Sequence, residues 1–185
     1  GRAFVGCKSH AARMAMDKIA SKLAGAHIGI PTAPCAIFSG ADTGCPLSFP
    51  VVVKPVHEGS SVGVHFARDA AEWARVHDAV LRDQLEHPRR AYMVEGAVLG
   101  GRELTVGLLD GKALAPVEIK PAVAFYDYHA KYHSEETRYL TDPDLPPGVK
   151  AAIQKYAEQL FVALGCRHLA RADFRAECEV ECRLD

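Results

Sequence analysis

At 185 residues and 49% hydrophobic content, the chain is long enough for one domain or two small lobes and apolar enough to build a core. Its 22 Lys and Arg against 23 Asp and Glu exclude the broad basic footprint of a nucleic-acid binder or a polybasic membrane patch, so any anion site must be local. No apolar run approaches the roughly 18 to 20 residues that span a bilayer, and the opening GRAFVGCKSH has no signal-peptide pattern, so a cytoplasmic protein is expected, its six cysteines reduced.

In chain order, residues 10–26 carry Met14, Ala15, Lys18, Ile19, Lys22 and Leu23 at helical spacing without a proline and predict one helix. Residues 32–38 read as a short strand placed at an edge or start by Pro34, and Val51 to Pro55 reads as a second. A Gly-Ser-Ser-Val-Gly turn leads to a strand over 62–66 and an amphipathic helix over 69–85 carrying Trp73, Val76, Val80 and Leu81. A short strand over 91–94 and a Gly-rich turn precede two strands, 103–109 and 113–119, joined by Asp110-Gly111, a pair suited to tight hairpins because both positions accept positive φ. Residues 121–147 hold prolines, tyrosines and charges without a period and read as a long irregular loop, a feature usually functional when a domain is compact. A helix over 148–164 and strands over 168–174 and 180–184 complete the series, giving an α+β fold of two lobes. The start on Gly1 rather than Met, and the end at Asp185 inside an apparent strand, predict part of a longer protein.

Lys54 follows three valines and precedes a proline, so its stem leaves a buried strand and its charge needs a partner. Glycines 59 and 63 permit close backbone approach, and Ser60 and Ser61 add hydroxyl donors to the turn's N–H groups. The lysine precedes the glycines and no helix follows directly, which excludes a P-loop and leaves either a hairpin with a surface ion pair or a phosphate-holding loop. Lys18 reads equally as a solvated helical lysine. Lys131 sits in FYDYHAKY, whose tyrosines either pack the loop on itself or serve a site, while His129 and His133 lack the helical glutamate of a zinc pair. Arg171 and Asp173 alternate in LARADF and form either a same-face ion pair or an oxyanion and magnesium site.

The succession VVVKP, EGSSVG, VEGAVLGGRELTV, FYDYHAKY and LGCRHLARADF resembles the D-alanine–D-alanine ligases, carboxylate-amine ligases of the ATP-grasp type, from MAMDK at 14–18 to about Phe174. The resemblance implies an ATP-grasp fold with nucleotide bound between antiparallel sheets, a central lobe over 1–94 and an incomplete C-terminal lobe over 95–185 with an omega loop at about 121–147. It implies that Lys18 and Lys54 contact ATP phosphates, that Glu95 and the backbone near Val98 hold the adenine, and that Glu103 binds the ribose. It further implies that the Ser60-Ser61 loop closes over the phosphates and that Ser60 and Tyr132 align substrate. Lys131 then reaches the γ-phosphate, Arg171 the tetrahedral intermediate and Asp173 a magnesium ion, for which manganese can substitute. The implied substrate is D-alanine and the implied assembly a homodimer. The family completes its magnesium site with a Glu and an Asn, two apart, just beyond this strand, and no residue here is assigned to them. Two other readings stand beside it: an ATP-grasp ligase of another acid and amine, or a nucleotide-binding module without catalysis. The assigned role of Lys54 leads one to expect that Lys54→Met weakens ATP binding far more than folding.

Overall fold

A computed structural model describes residues 2–120, 137–176 and the backbone of 182–184. The described chain divides into two compact units, one of residues 33–97 and the other of residues 1–32 together with those from 98 onward. Both are α+β, and their sheets are antiparallel in every pairing.

Unit 33–97 holds strands β1 (Cys35–Ile37), β2 (Val51–Pro55), β3 (His65–Ala67) and β4 (Tyr92–Gly96) in the order β1-β4-β2-β3, with helix α3 (Ala70–Glu86) packed on the sheet. Strand alternation sends Val51, Val53, Tyr92 and Val94 to one face, where they bury against Trp73, Val76 and Val80, spaced one helical turn apart on α3. Asp69 caps α3 by accepting the N–H of Glu72, and Glu72 reaches back to the N–H of Arg68, so orphan donors at the helix start are satisfied. Trp73 also donates its indole N–H to Thr43 O at 2.7 Å. The strand expected over 62–66 begins only at His65, because Val62 and Gly63 are consumed by a turn.

The other unit contains β5 (Arg102–Leu109), β6 (Lys112–Ala113), β7 (Val117–Lys120), β8 (Arg138–Thr141), β9 (Leu169–Ala176) and β10 (Cys182–Leu184), ordered β10-β9-β5-β7-β8 with β6 beside β5. Helix α4 (Val149–Ala163) covers one face, burying Ile153, Ala157, Leu160 and Phe161 against Leu104, Val106, Leu108, Ala172 and Phe174. Helices α1 (Ser9–Met16) and α2 (Lys18–His27) belong here too, since Met14, Ala24, Ile28 and Ile30 pack on this same core. That differs from the expected division into 1–94 and 95–185: the chain leaves one unit for the other after residue 97, and residues 1–32 join the later segments.

Three further expectations change. The single helix over 10–26 is two, broken at Asp17, whose backbone turns extended (ψ 104°) and whose carboxylate accepts the N–H of Ala20 at 2.9 Å. Ser21 Oγ donates to Met14 O at 2.8 Å, satisfying a carbonyl at the end of α1. The strand expected over 113–119 is interrupted ahead of Pro116 and becomes β6 and β7. The loop expected over 121–147 contains β8, an edge strand whose four residues are all exposed and which therefore shows no apolar alternation. The Asp110-Gly111 hairpin is as read, with φ of 48° and 81°. Cys7, Cys35, Cys45 and Cys166 are free thiols.

Candidate active site

The valine run of β2 delivers Lys54 to the sheet face opposite α3. In the β2–β4 register Lys54 faces Met93 and Val52 faces Glu95, which makes Lys54 and Glu95 diagonal neighbours on one face. Lys54 Nζ lies 2.6 Å from Glu95 Oε2, and the two side chains are only 9% and 6% exposed. An ion pair this dry is held by its geometry, because each charge has lost most of its hydration. Just past Glu95, the N–H of Gly96 donates to Pro34 O at 2.9 Å, and a Cβ at Gly96 would press to 3.2 Å from Pro34 Cγ.

Four residues beyond Pro55 the chain enters the serine loop. Ser60 (φ 55°) and Ser61 (φ 59°) are both left-handed, and Val62 N donates to Gly59 O at 3.1 Å, which defines a type I′ turn. Such turns are normally made with Asn and Gly, and each serine held there costs about 1–2 kcal/mol. A second turn follows, Val64 N to Ser61 O at 3.4 Å, with Gly63 at φ 67°. Only glycine fits at 63: an added Cβ would sit 2.9 Å from the Tyr92 hydroxyl and 3.0 Å from Pro55 Cγ. The result is a compact turn whose hydroxyls and N–H groups are suited to an anion.

In the other unit the β5–β9 register pairs Glu103 with Arg175, Thr105 with Asp173 and Gly107 with Arg171. All lie on the face opposite the α4-covered core. Thr105 Oγ1 donates to Asp173 Oδ1 at 2.7 Å, Arg171 donates to Asp173 Oδ2 at 2.9 Å, and Arg175 donates to Glu103 Oε2 at 3.3 Å. The same-face ion pair read for Arg171 and Asp173 is therefore present. Arg171 remains 65% exposed at its side chain, and a guanidinium has five donors, so this bond leaves others to face a ligand. Val98 packs where a Cβ on Gly101 would meet its Cγ1 at 3.2 Å. Lys18 opens α2, one turn before the buried Lys22. Opposite Leu104 in the sheet, Glu118 accepts a forked bond from Arg102, which holds its carboxyl below the usual carboxylate range.

Among the residues expected to form the site, then, Lys54, Glu95, Ser60 and Ser61 gather in unit 33–97, while Lys18, Val98, Glu103, Arg171 and Asp173 belong to the other. Lys131 and Tyr132, with His129 and His133, lie outside the described residues. Thr105 and Arg175 also belong to this face, and strand alternation is the signal in the sequence that finds them, since it sets Thr105 on the face of Glu103 and Arg175 on that of Asp173. Among the described residues there is no cluster of three or more metal-ligating side chains. Asp173 nonetheless suits magnesium in donor chemistry, because that ion is commonly held by one or two carboxylates together with substrate phosphates.

The family model described as D-ala D-ala ligase C-terminus matches residues 29–185. The D-alanine–D-alanine ligase of Citrifermentans bemidjiense is 38% identical over 175 residues, which cover 94% of this chain and 55% of that protein. The structure is similar to that of D-alanyl-alanine synthetase A from Vibrio cholerae, with a TM-score of 0.78 and 28% identity over 100% of this chain and 58% of the other. It is likewise similar to the Bacillus anthracis D-alanine–D-alanine ligase complexed with ATP, with a TM-score of 0.73 and 26% identity over 97% and 57% of the two chains. The chain spans about half the length of the curated relatives it matches, and it belongs to the D-alanine–D-alanine ligase family.

Proposed function

We propose that the protein carrying these residues joins two D-alanines to D-alanyl-D-alanine, with ATP consumed, for peptidoglycan precursor synthesis in the cytoplasm. The observation that supports this most is the family match over residues 29–185. The chemistry is consistent with it. A carboxylate is a poor electrophile, so one D-alanine carboxylate first attacks the γ-phosphorus of ATP to give an acyl phosphate and ADP. The amine of the second D-alanine then adds to that carbonyl, and phosphate leaves as the amide forms. Neither step needs a protein nucleophile; both need positioned reactants, neutralised phosphate charge and exclusion of water.

The roles are those that the family resemblance implies, and the residue types are consistent with them. Lys54, fixed by Glu95, and Lys18 hold phosphates, while Glu95 and the backbone near Val98 take the adenine and Glu103 the ribose. The Ser60-Ser61 turn covers the phosphates with N–H and hydroxyl donors. Arg171 stabilises the oxyanion of the tetrahedral intermediate, and its bond to Asp173 limits the rotamers it can adopt. Asp173 is the described residue that would hold a magnesium ion, oriented by Thr105; the ion supplies charge neutralisation on the phosphates. Lys131 is assigned to the γ-phosphate and Tyr132 to substrate alignment, and the assembly is a homodimer, both on the family resemblance. The full-length protein should release phosphate from ATP only when D-alanine is present. Release that is indifferent to D-alanine, or driven equally by L-alanine, would overturn the assignment.

A further inference from the structure

The serine loop is gripped at both ends by one polar cluster. At its entry, Glu58 Oε1 lies 3.3 Å from Arg90 Nη2. Arg90 also donates through Nη1 to Asp83 Oδ1 at 2.7 Å, and the second oxygen of Asp83 accepts the Tyr92 hydroxyl at 2.9 Å. At the loop's exit, Gly63 rests against that same hydroxyl so closely that a Cβ would come to 2.9 Å. The cluster is itself well anchored. Asp83 is on the last turns of α3, Tyr92 begins β4 and is 1% exposed, and Arg90 is fixed by its N–H to His87 O and by its carbonyl accepting from Gln84 Nε2. A charge-assisted chain thus runs from helix and sheet to the two ends of a turn that holds two serines in left-handed backbone.

We propose that Arg90, acting with Asp83 and Tyr92, is a positioning residue that holds the Gly59–Val64 loop in its nucleotide-competent form. The inference rests on the reading of that loop as a phosphate cover. Arg90 does not touch the nucleotide in this proposal. It raises the fraction of molecules whose loop is already shaped, and apparent affinity scales with that fraction. The chemistry fits arginine rather than lysine, since Arg90 reaches Asp83 through Nη1 and Glu58 through Nη2, two nitrogens held apart in a rigid planar fork, whereas a lysine would have to serve both carboxylates from one nitrogen.

The test uses the full-length protein as Arg90→Gln, Arg90→Lys and Glu58→Gln variants, with ATP binding by calorimetry in the absence of D-alanine and hydrogen exchange at individual amides. Exchange at Val62 and Val64, whose N–H groups close the two turns, should rise about tenfold in Arg90→Gln while amides in the middle of α3 keep their protection, and ATP should bind about tenfold more weakly. Arg90→Lys should fall between. If Arg90→Gln also loosens α3, Glu58→Gln decides, because it removes only the loop-side charge from a residue 43% exposed. Unchanged exchange at Val62 and Val64 in Glu58→Gln, or faster exchange with unchanged ATP affinity, would overturn the inference. A parent that binds ATP but releases no phosphate in response to D-alanine would overturn the ligase assignment and leave this one standing.

Discussion

Lys54→Met keeps an unbranched stem of similar length and deletes the ammonium 2.6 Å from Glu95 Oε2. Glu95 is 6% exposed at its side chain, so the variant strands a carboxylate that water reaches poorly. Breaking a buried pair by removing one partner costs about 3–5 kcal/mol, and the lower end, about 3, is the figure used for this pair. A unit of some 65 residues has about 3–10 kcal/mol of stability, so this is a third of its margin or more. Trp73, the one tryptophan of the chain, is buried in the core of the same unit and reports on it directly. With a urea slope of about 1 kcal/mol per molar for so small a unit, the fluorescence midpoint should fall by about 3 M. The double variant Lys54→Met/Glu95→Met, which removes both charges, should recover most of that loss. A single variant within 0.5 M of the parent on this roughly 1 kcal/mol per molar scale, or a double variant less stable than the single, would refute the reasoning. The buried pair thus adds a folding cost to the effect on nucleotide binding expected from the sequence. Loss of ATP affinity in Lys54→Met is interpretable only beside the double variant.

Two further outcomes follow from the loop's surroundings. Burial and the bond to Asp83 push the Tyr92 hydroxyl up to about 12. A folded pKa raised above the unfolded value of about 10 gives stability that is fully present below pH 10 and lost as pH climbs toward 12, on the order of 2 kcal/mol in all. Urea midpoints read by Trp73 at pH 9 and 11.5 should show that loss in the parent and a smaller one in Tyr92→Phe; parallel losses would rule out Tyr92 as its source. Gly63→Ala meets both a φ of 67° and the Tyr92 hydroxyl, and should cost about 2 kcal/mol. Adding Tyr92→Phe should relieve part of that cost, and strictly additive losses in the cycle would place the strain elsewhere.

What the sequence conveyed well was local. The valines of β2, the Trp73-Val76-Val80 stripe of α3, the apolar face of α4 and the Asp110-Gly111 turn each carry their geometry within a few residues, and each element is present. What escaped was decided elsewhere in the chain. Helical periodicity runs straight through Asp17, because the spacing of apolar residues says nothing of a carboxylate that prefers to cap the next helix. β8 is invisible to alternation since it buries nothing, and its backbone bonds to β7 alone define it. Lys54 was seen to need a partner, but Glu95 is 41 positions away, and only the register of β2 on β4 selects it. The same holds for Thr105 with Asp173, and for Arg90, which the fold inserts between a helix and a loop. Roles for Lys131 and Tyr132 rest on the family pattern and lie outside the described residues.

The division of the chain also sets an order of assembly during synthesis. Residues 33–97 leave and rejoin their surroundings at neighbouring points, because the Gly96 N–H is bonded to Pro34 O and β4 lies beside β1. This stretch can close its own core around Trp73 as soon as residue 97 clears the ribosome. Residues 2–32 belong instead to the other unit. Ile30, Ile28, Ala24 and Met14 pack on a core that includes Leu104, Ile153 and Phe174, so that core is complete only once more than a hundred further residues have been made. Asp17 divides the early segment of that unit into two short helices, so no single long apolar stripe runs along it.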